Sequence, residues 1–299
     1  MSDKSGIEWT DATWNPTVGC TKVSAGCDHC YAETLVNRFA GTSPAFPTTF
    51  DIVNLRSDRF LTQSLRWRKP RRIFVNSLSD LFHKDVPDDF IARVFAVMAA
   101  CPEHTFQLLT KRHGRMRSLL SSEEFPPAVL AHWVGGGWTP LDPNWWPLPN
   151  LWLGVSAEDQ DAADLRIPAL LDTPAAVRWV SAEPLLGPLD LHSNDDGQNH
   201  WLPDFGPQYD DGSGEPVCAG HGVSRCRHCS SIDWIVAGGE SGAHARPMEH
   251  KWVRDIRDQS AAAGISFLFK QWGGRTPKAN GRTLDGRTWD EYPTQPRTP

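Results

Sequence analysis

Six short apolar runs, each stopping at a cluster of polar residues, set the strongest limit on how this chain can fold. They are Arg72-Ile-Phe-Val-Asn-Ser77, Thr105-Phe-Gln-Leu-Leu-Thr110, Leu151-Trp-Leu-Gly-Val-Ser156, Val177-Arg-Trp-Val-Ser181, Asp233-Trp-Ile-Val-Ala237 and Ile265-Ser-Phe-Leu-Phe269. Near-continuous runs of β-branched and aromatic residues at this length describe strands buried on both faces, the pattern of a parallel sheet. Helical patterns separate them at 32–39, 88–100, 113–120, 161–171 and 250–263. The clearest places Phe90, Val94, Val97 and Met98 on one face, with Pro87 just before an acidic first turn. Strand–helix alternation gives βαβ units around a parallel sheet. The expected fold is therefore α/β, a parallel (β/α) barrel or a partial TIM-type barrel, over residues 1–274.

Two stretches break the alternation. Residues 121–150 are rich in Pro, Gly and Trp and read as a long ordered loop; residues 192–231 read as a polar, cysteine-rich insertion. Loops this long in a compact domain are usually functional or disordered. Residues 275–299 form a polar tail, expected to pack loosely from Lys278 onward.

In a parallel barrel the residues that follow the strands gather on the C-terminal face, where catalytic and binding groups collect. Here they are Asn76, Ser77 and Asp80, then Lys111 and Arg112, Ser156 and Glu158, Ser181 and Glu183, Glu240 and Ser241, and Lys270 and Gln271. Any one of them is explained by the need for turns and caps. Six groups in succession point to a site.

Six of the seven cysteines fall in two tight groups, which fits metal or cluster binding better than a disulfide framework. The seventh, Cys101, follows an apolar helix and reads as core. Cys20, Cys27 and Cys30 lie in one short loop, Trp14-Asn-Pro-Thr-Val-Gly-Cys20 through Cys27-Asp-His-Cys30. Iron–sulfur clusters are normally held by four cysteines, so three thiolates hold a 4Fe-4S cluster at three corners and leave one iron open. Open coordination marks a catalytic metal site. The competing readings are a zinc knuckle with His29 as fourth ligand, though adjacent His29 and Cys30 suit one tetrahedral ion poorly, and thiol–disulfide chemistry at Cys27 and Cys30. The second group, Cys218, His221, Cys226 and Cys229, matches a Cys3His zinc site that would staple the polar insertion. An auxiliary iron–sulfur cluster and an unmetallated loop are its alternatives.

A net charge of −6 gives no overall electrostatic footprint for nucleic acid. The basic run from Arg66 to Arg72 surrounds Trp67 but precedes a strand, and reads as a solvated surface on the N-terminal face. Trp133, Trp138, Trp145 and Trp146 could stack on bases, but such residues more often pack a loop onto its barrel. Residues 1–11 are polar and no apolar run approaches bilayer length. These features set the expectation of a cytoplasmic protein without a membrane partner.

The three-cysteine loop followed by parallel βα units resembles the radical S-adenosylmethionine (SAM) superfamily, and more narrowly a phage-associated group of three-cysteine-motif proteins. The resemblance rests on Trp14-Asn-Pro-Thr-x-Gly-Cys20, Asn76-Ser-Leu-Ser-Asp-Leu-Phe82, Leu108-Leu-Thr-Lys-Arg112, Leu153-Gly-Val-Ser156, Ala182-Glu-Pro-Leu-Leu-Gly187, Gly238-Gly-Glu-Ser-Gly242 and Phe269-Lys-Gln-Trp272. The Cys-x2-Cys half is intact, whereas six residues separate Cys20 from Cys27 where the superfamily has three. The resemblance implies that the open iron chelates the amino and carboxylate groups of SAM. Reductive cleavage then gives a 5′-deoxyadenosyl radical, with electrons from a separate donor. It places His29 near the adenine, and Asn76, Ser77 and Ser79 near the methionine amino group, although the usual Gly-Gly-Glu is absent there. Ser156 and Glu158 are then candidates for the ribose hydroxyls, Lys111 or Arg112 for the carboxylate, and Glu183 and Glu240 for SAM or substrate. By analogy the substrate is a nucleotide or nucleic acid. The alternative is a non-catalytic zinc-binding protein that interacts with nucleic acid.

Overall fold

The computed structural model describes residues 5–137, 145–191, 201–202 and 231–293. The first half of the chain runs β1 (Ala12–Trp14), β2 (Thr17–Val18), α1 (Tyr31–Arg38), β3 (Asn54–Leu55), α2 (Asp58–Leu61), β4 (Arg72–Val75), α3 (Asp88–Ala99), β5 (Thr105–Thr110) and α4 (His113–Leu120). The second half runs α5 (Phe125–Gly136), β6 (Leu151–Ser156), α6 (Gln160–Leu171), β7 (Val177–Ala182), β8 (Trp234–Gly238), α7 (His250–Ala262) and β9 (Ser266–Gln271). Strands β1, β4, β5, β6, β7, β8 and β9 form one parallel sheet in that order, curled into a half-barrel. Strands β2 and β3 make a separate antiparallel pair. A closed eight-stranded barrel is not seen among the described residues.

The strands do not alternate between apolar and polar, because both faces of the sheet are covered. The two faces are nevertheless chemically distinct. Outward residues such as Ile73, Val75, Leu108, Leu153, Val180, Ile235 and Phe267 join the helices in one large core. Inward residues Phe74, Trp152, Trp179, Trp234 and Leu268 meet Trp9 in a second. The ring centroids of Trp9 and Trp179 are 5.1 Å apart, and those of Trp179 and Trp234 are 5.2 Å apart. Tryptophans thus plug the concave side toward its N-terminal end. Side chains two positions on lie on the same face, so Trp179 leads to Ser181 and then Glu183, and Trp152 to Gly154 and then Ser156. The plug is the floor, and the polar strand ends are the mouth above it.

Two expectations are corrected. Residues 121–150 are not simply a loop: they contain α5, whose prolines lie at its first positions, where no amide hydrogen is needed. Phe125 packs edge-on against Phe95 of α3 at 5.1 Å, and Trp133 and Trp146 are also packed. The tail, though largely exposed, is anchored as far as Tyr292 by a few contacts. The Phe269 amide donates to Trp289 O at 3.0 Å, Trp234 Nε1 donates to Glu291 O at 2.9 Å, and Leu284 is fully buried. Polar average composition hid these few apolar anchors, which cover the exposed edge of β9. From there Tyr292 donates its hydroxyl to Glu8 O at 3.3 Å and carries the Arg72 guanidinium over its ring, close to the opposite edge.

No helix among the described residues is long and apolar enough to cross a membrane.

Candidate functional site

The cysteine loop leaves the end of β2 through Gly19, whose φ of +101° and crowding by Ile52 O exclude a side chain. The next amide, Cys20 N, donates to Phe50 O at 2.7 Å. Cys27 closes a single 3-10 turn, Ala25–Cys27, and Cys30 immediately precedes α1. All three cysteines are free and half-buried, and Cys20 and Cys30 pack against Val18, Ala32, Val36 and Phe50. Burial pushes the Cys20 thiol up to about 11, with Asp80 adding to the rise and Arg112 opposing it. Burial also raises Cys30, against the pull of the Glu33 and Ala32 amides. A bound cation would reverse this balance, since metal ligation takes the thiolate form.

Four strand ends converge on this loop. After β5, Arg112 Nη2 donates to Thr21 O at 3.0 Å, to Thr21 Oγ1 at 2.9 Å and to Cys20 Sγ at 3.7 Å. After β6, Glu158 accepts the Gly26 amide at 3.4 Å while Arg166 of α6 holds the same carboxylate at 2.8 Å. Glu158 is buried, yet its carboxyl lies below the usual range because the Lys111 and Arg166 charges outweigh desolvation. After β8, Glu240 accepts from His29 Nδ1 at 3.0 Å and from Arg246 Nη2 at 2.6 Å. Arg246 also donates to Ala25 O at 2.8 Å and pairs with Asp28 at 3.4 Å. Hydrogen bonds from Arg246 and His29 overcome burial and hold the Glu240 carboxyl at about 2. After β4, Ser77 O accepts from the Tyr31 hydroxyl at 2.7 Å. The loop is a lid fastened across the C-terminal edge of the sheet.

The sequence-derived candidates fall into three groups. Arg112, Glu158, Glu240 and His29 are committed to holding the loop, with Ser77 serving through its backbone. Ser79 and Asn76 tie the end of β4 to Thr17: Asn76 Nδ2 donates to Thr17 Oγ1 at 2.8 Å, and Ser79 Oγ donates to Thr17 O at 2.8 Å. The third group keeps spare capacity. Asn76 has a left-handed backbone (φ 63°) and its Oδ1 is buried without a hydrogen-bond partner. Lys111 is half-buried; its charge bears on Glu158 and Cys30, and its ammonium makes no hydrogen bond or ion pair with a described residue. Glu183 pairs with Lys270 at 2.9 Å and accepts from Ser181 Oγ at 3.2 Å, without touching the cysteine loop. Ser156, on the same inner face, is buried.

Sequence reasoning did not find Arg166, Arg246 or His83. Arg166 lies two helical turns from Glu158, and Arg246 sits in a Gly/Ala/Pro loop without a periodic signal. His83 is fully buried, with its ring 2.9 Å from Thr21 Oγ1. Cys101 is core as expected: burial pushes its thiol up to about 12, and its sulfur lies 3.7 Å from Ser64 Oγ. The second group, Cys218, His221, Cys226 and Cys229, lies outside the described residues, as does Trp138.

Among the described residues, no three His, Cys, Asp or Glu side chains converge closely enough to hold a single metal ion. That spread fits a zinc knuckle of Cys20, Cys27, Cys30 and His29 poorly, the more so because His29 Nδ1 is engaged by Glu240. A cluster makes a different demand, since each cysteine binds a different iron and the thiolates stand apart. By its chemistry the donor set, three free cysteines together with an amide oxygen and an ammonium that have no partner among the described residues, fits a cluster with a zwitterionic ligand.

The family model described as "Protein of unknown function (DUF5131)" matches residues 4–293. No curated protein and no solved structure matches the chain significantly.

Proposed function

We propose that this chain, which belongs to the DUF5131 family, is an iron–sulfur enzyme of the radical SAM type. The observation that carries this reading is the seat of the loop. Three free cysteines lie on one segment bolted across the C-terminal edge of a parallel half-barrel, the edge that also carries Lys111 and Asn76 at its strand ends. When bound, a 4Fe-4S cluster on Cys20, Cys27 and Cys30 supplies an open iron and the electron for reductive cleavage of SAM. Lys111 would hold the SAM carboxylate, because its ammonium makes no hydrogen bond or ion pair with a described residue, and Asn76 Oδ1 would accept from the amino group. Ser156 would face the ribose, leaving Glu158 to Gly26 and Arg166. Glu183 and Lys270 would face the substrate, a nucleotide or nucleic acid by analogy alone. The tryptophan floor closes the concave side from below, which helps exclude water from a reactive intermediate. Such a centre needs an external electron donor and a reducing compartment, the cytoplasm.

A non-catalytic zinc protein is the second reading. Its support is confined to Cys218, His221, Cys226 and Cys229, since the first three cysteines lack single-ion convergence.

The test is product formation. The protein, loaded with iron and sulfide under anaerobic conditions, should release 5′-deoxyadenosine from SAM when reduced with dithionite, and Cys27→Ala should release none. Iron-loaded protein that leaves SAM intact under reductant would overturn the proposal.

A further inference from the structure

Arg112 stands directly before α4 with its side chain 15% exposed, and three groups place its head. Asp80 lies 4.0 Å from Nε, and is itself fixed by Thr110 Oγ1 at 2.8 Å and by the Lys111 and Phe82 amides at 3.0 Å. Thr21 accepts from Nη2 through both its carbonyl and its hydroxyl. His83 fixes that hydroxyl in turn. Its Nδ1 accepts the Asp85 amide at 3.2 Å, so Nε2 bears the proton and donates to Thr21 Oγ1. Held in this way, Nη2 has two hydrogens for three acceptors, so one of them is shared between Thr21 and Cys20 Sγ, 3.7 Å away. Among the described residues, Cys20 alone of the three loop cysteines has a sulfur that accepts from a cationic side chain.

We infer that Arg112 is a potential-setting residue of the cysteine-loop centre, acting through an N–H···S bond to Cys20, and not a ligand of the SAM carboxylate. The inference rests on the cluster reading above. Hydrogen bonds to ligand sulfurs and nearby positive charge stabilise the reduced form of a cluster, and outer groups of this kind tune a centre as much as its ligands do. The division of labour between neighbours follows. Arg112 serves the sulfur, and Lys111, unpaired among the described residues, is left for an anion.

The test is a potentiometric titration of the anaerobically loaded protein, followed by EPR, in wild type, Arg112→Gln, Arg112→Lys and Lys22→Gln. Lys22 is exposed, pairs with Glu33 and donates to Asp28 O at 3.3 Å, so its replacement removes a charge and one loop contact near Cys20 without removing a bond to sulfur. At full iron content, Arg112→Gln should lower the equilibrium constant for one-electron reduction about tenfold, equivalent to ~59 mV. Arg112→Lys should fall between the two, Lys22→Gln should match wild type, and SAM affinity should be unchanged in all. An unmoved potential in Arg112→Gln, an equal shift in Lys22→Gln, or a loss of SAM affinity in place of the shift would overturn the inference alone. If Arg112→Gln does not load iron, Arg112→Lys decides. A wild-type chain that takes up no iron overturns the cluster reading as well.

Discussion

His29 Nδ1 lies 3.0 Å from Glu240 Oε2, joining residues 211 positions apart in sequence. One belongs to the cysteine loop and the other to the end of β8, so the contact exists only when the half-barrel has formed. Arg246 holds the same carboxylate and reaches the loop backbone at Ala25. Glu240 therefore couples the geometry of the cysteines to the global fold.

Replacing Glu240 with Gln should destabilise the protein by about 3 kcal/mol near neutral pH, since the folded carboxyl lies at about 2 against an ordinary 4.5. A depressed acid stabilises the fold above its unfolded value and loses that contribution as pH falls through the folded one. Denaturant unfolding should thus show the full wild-type advantage at pH 7. It should shrink below about pH 4.5 and be largely gone near pH 2.

Gly154→Ala should cost about 1–3 kcal/mol by overpacking the tryptophan floor. A Cβ there would lie 2.5 Å from the Trp179 indole, which is itself fixed by a hydrogen bond from Nε1 to Trp152 O at 3.2 Å. Thermal unfolding would register this as a lower Tm. An unchanged Tm would mean that the floor is loosely packed.

Leu284→Ala should cost about 2–4 kcal/mol, the price of a cavity at a fully buried leucine. A surface tail would show no change. Chemical denaturation of the two proteins distinguishes a structural C-terminal segment from a dispensable one.

Lys111→Met should weaken SAM binding at least tenfold, with a modest fall in Tm, because the ammonium makes no bond to a described residue but its charge helps keep buried Glu158 ionised. Lys111→Arg should retain part of the affinity. Equilibrium binding of SAM to the loaded protein reads both.

The legible part of the fold was the part that carries its own periodicity. Strands β5 and β6 have the limits their apolar runs announce, and α4 starts and ends where its pattern does. Strand β1 escaped because three residues ending in Trp14-Asn-Pro make no run; its pairing with β4 supplies the order that its sequence lacks. In α5 the prolines and glycines read as loop, although Pro at the start and a left-handed Gly137 at the end are helix signals. The parallel sheet brought the polar strand ends to one edge, as their positions implied. Sequence could not divide them into struts and free groups, because that depends on partners such as Arg166 and Arg246 that approach only in three dimensions.

The most direct test of the central claim is iron and sulfide analysis of anaerobically reconstituted protein, with EPR of the reduced form before and after SAM. About four irons per chain are expected, retained in Cys101→Ala, lost in Cys20→Ala, Cys27→Ala and Cys30→Ala, with a spectrum that changes when SAM is added. Zinc without iron, or an iron signal indifferent to both SAM and the three loop cysteines, would contradict it.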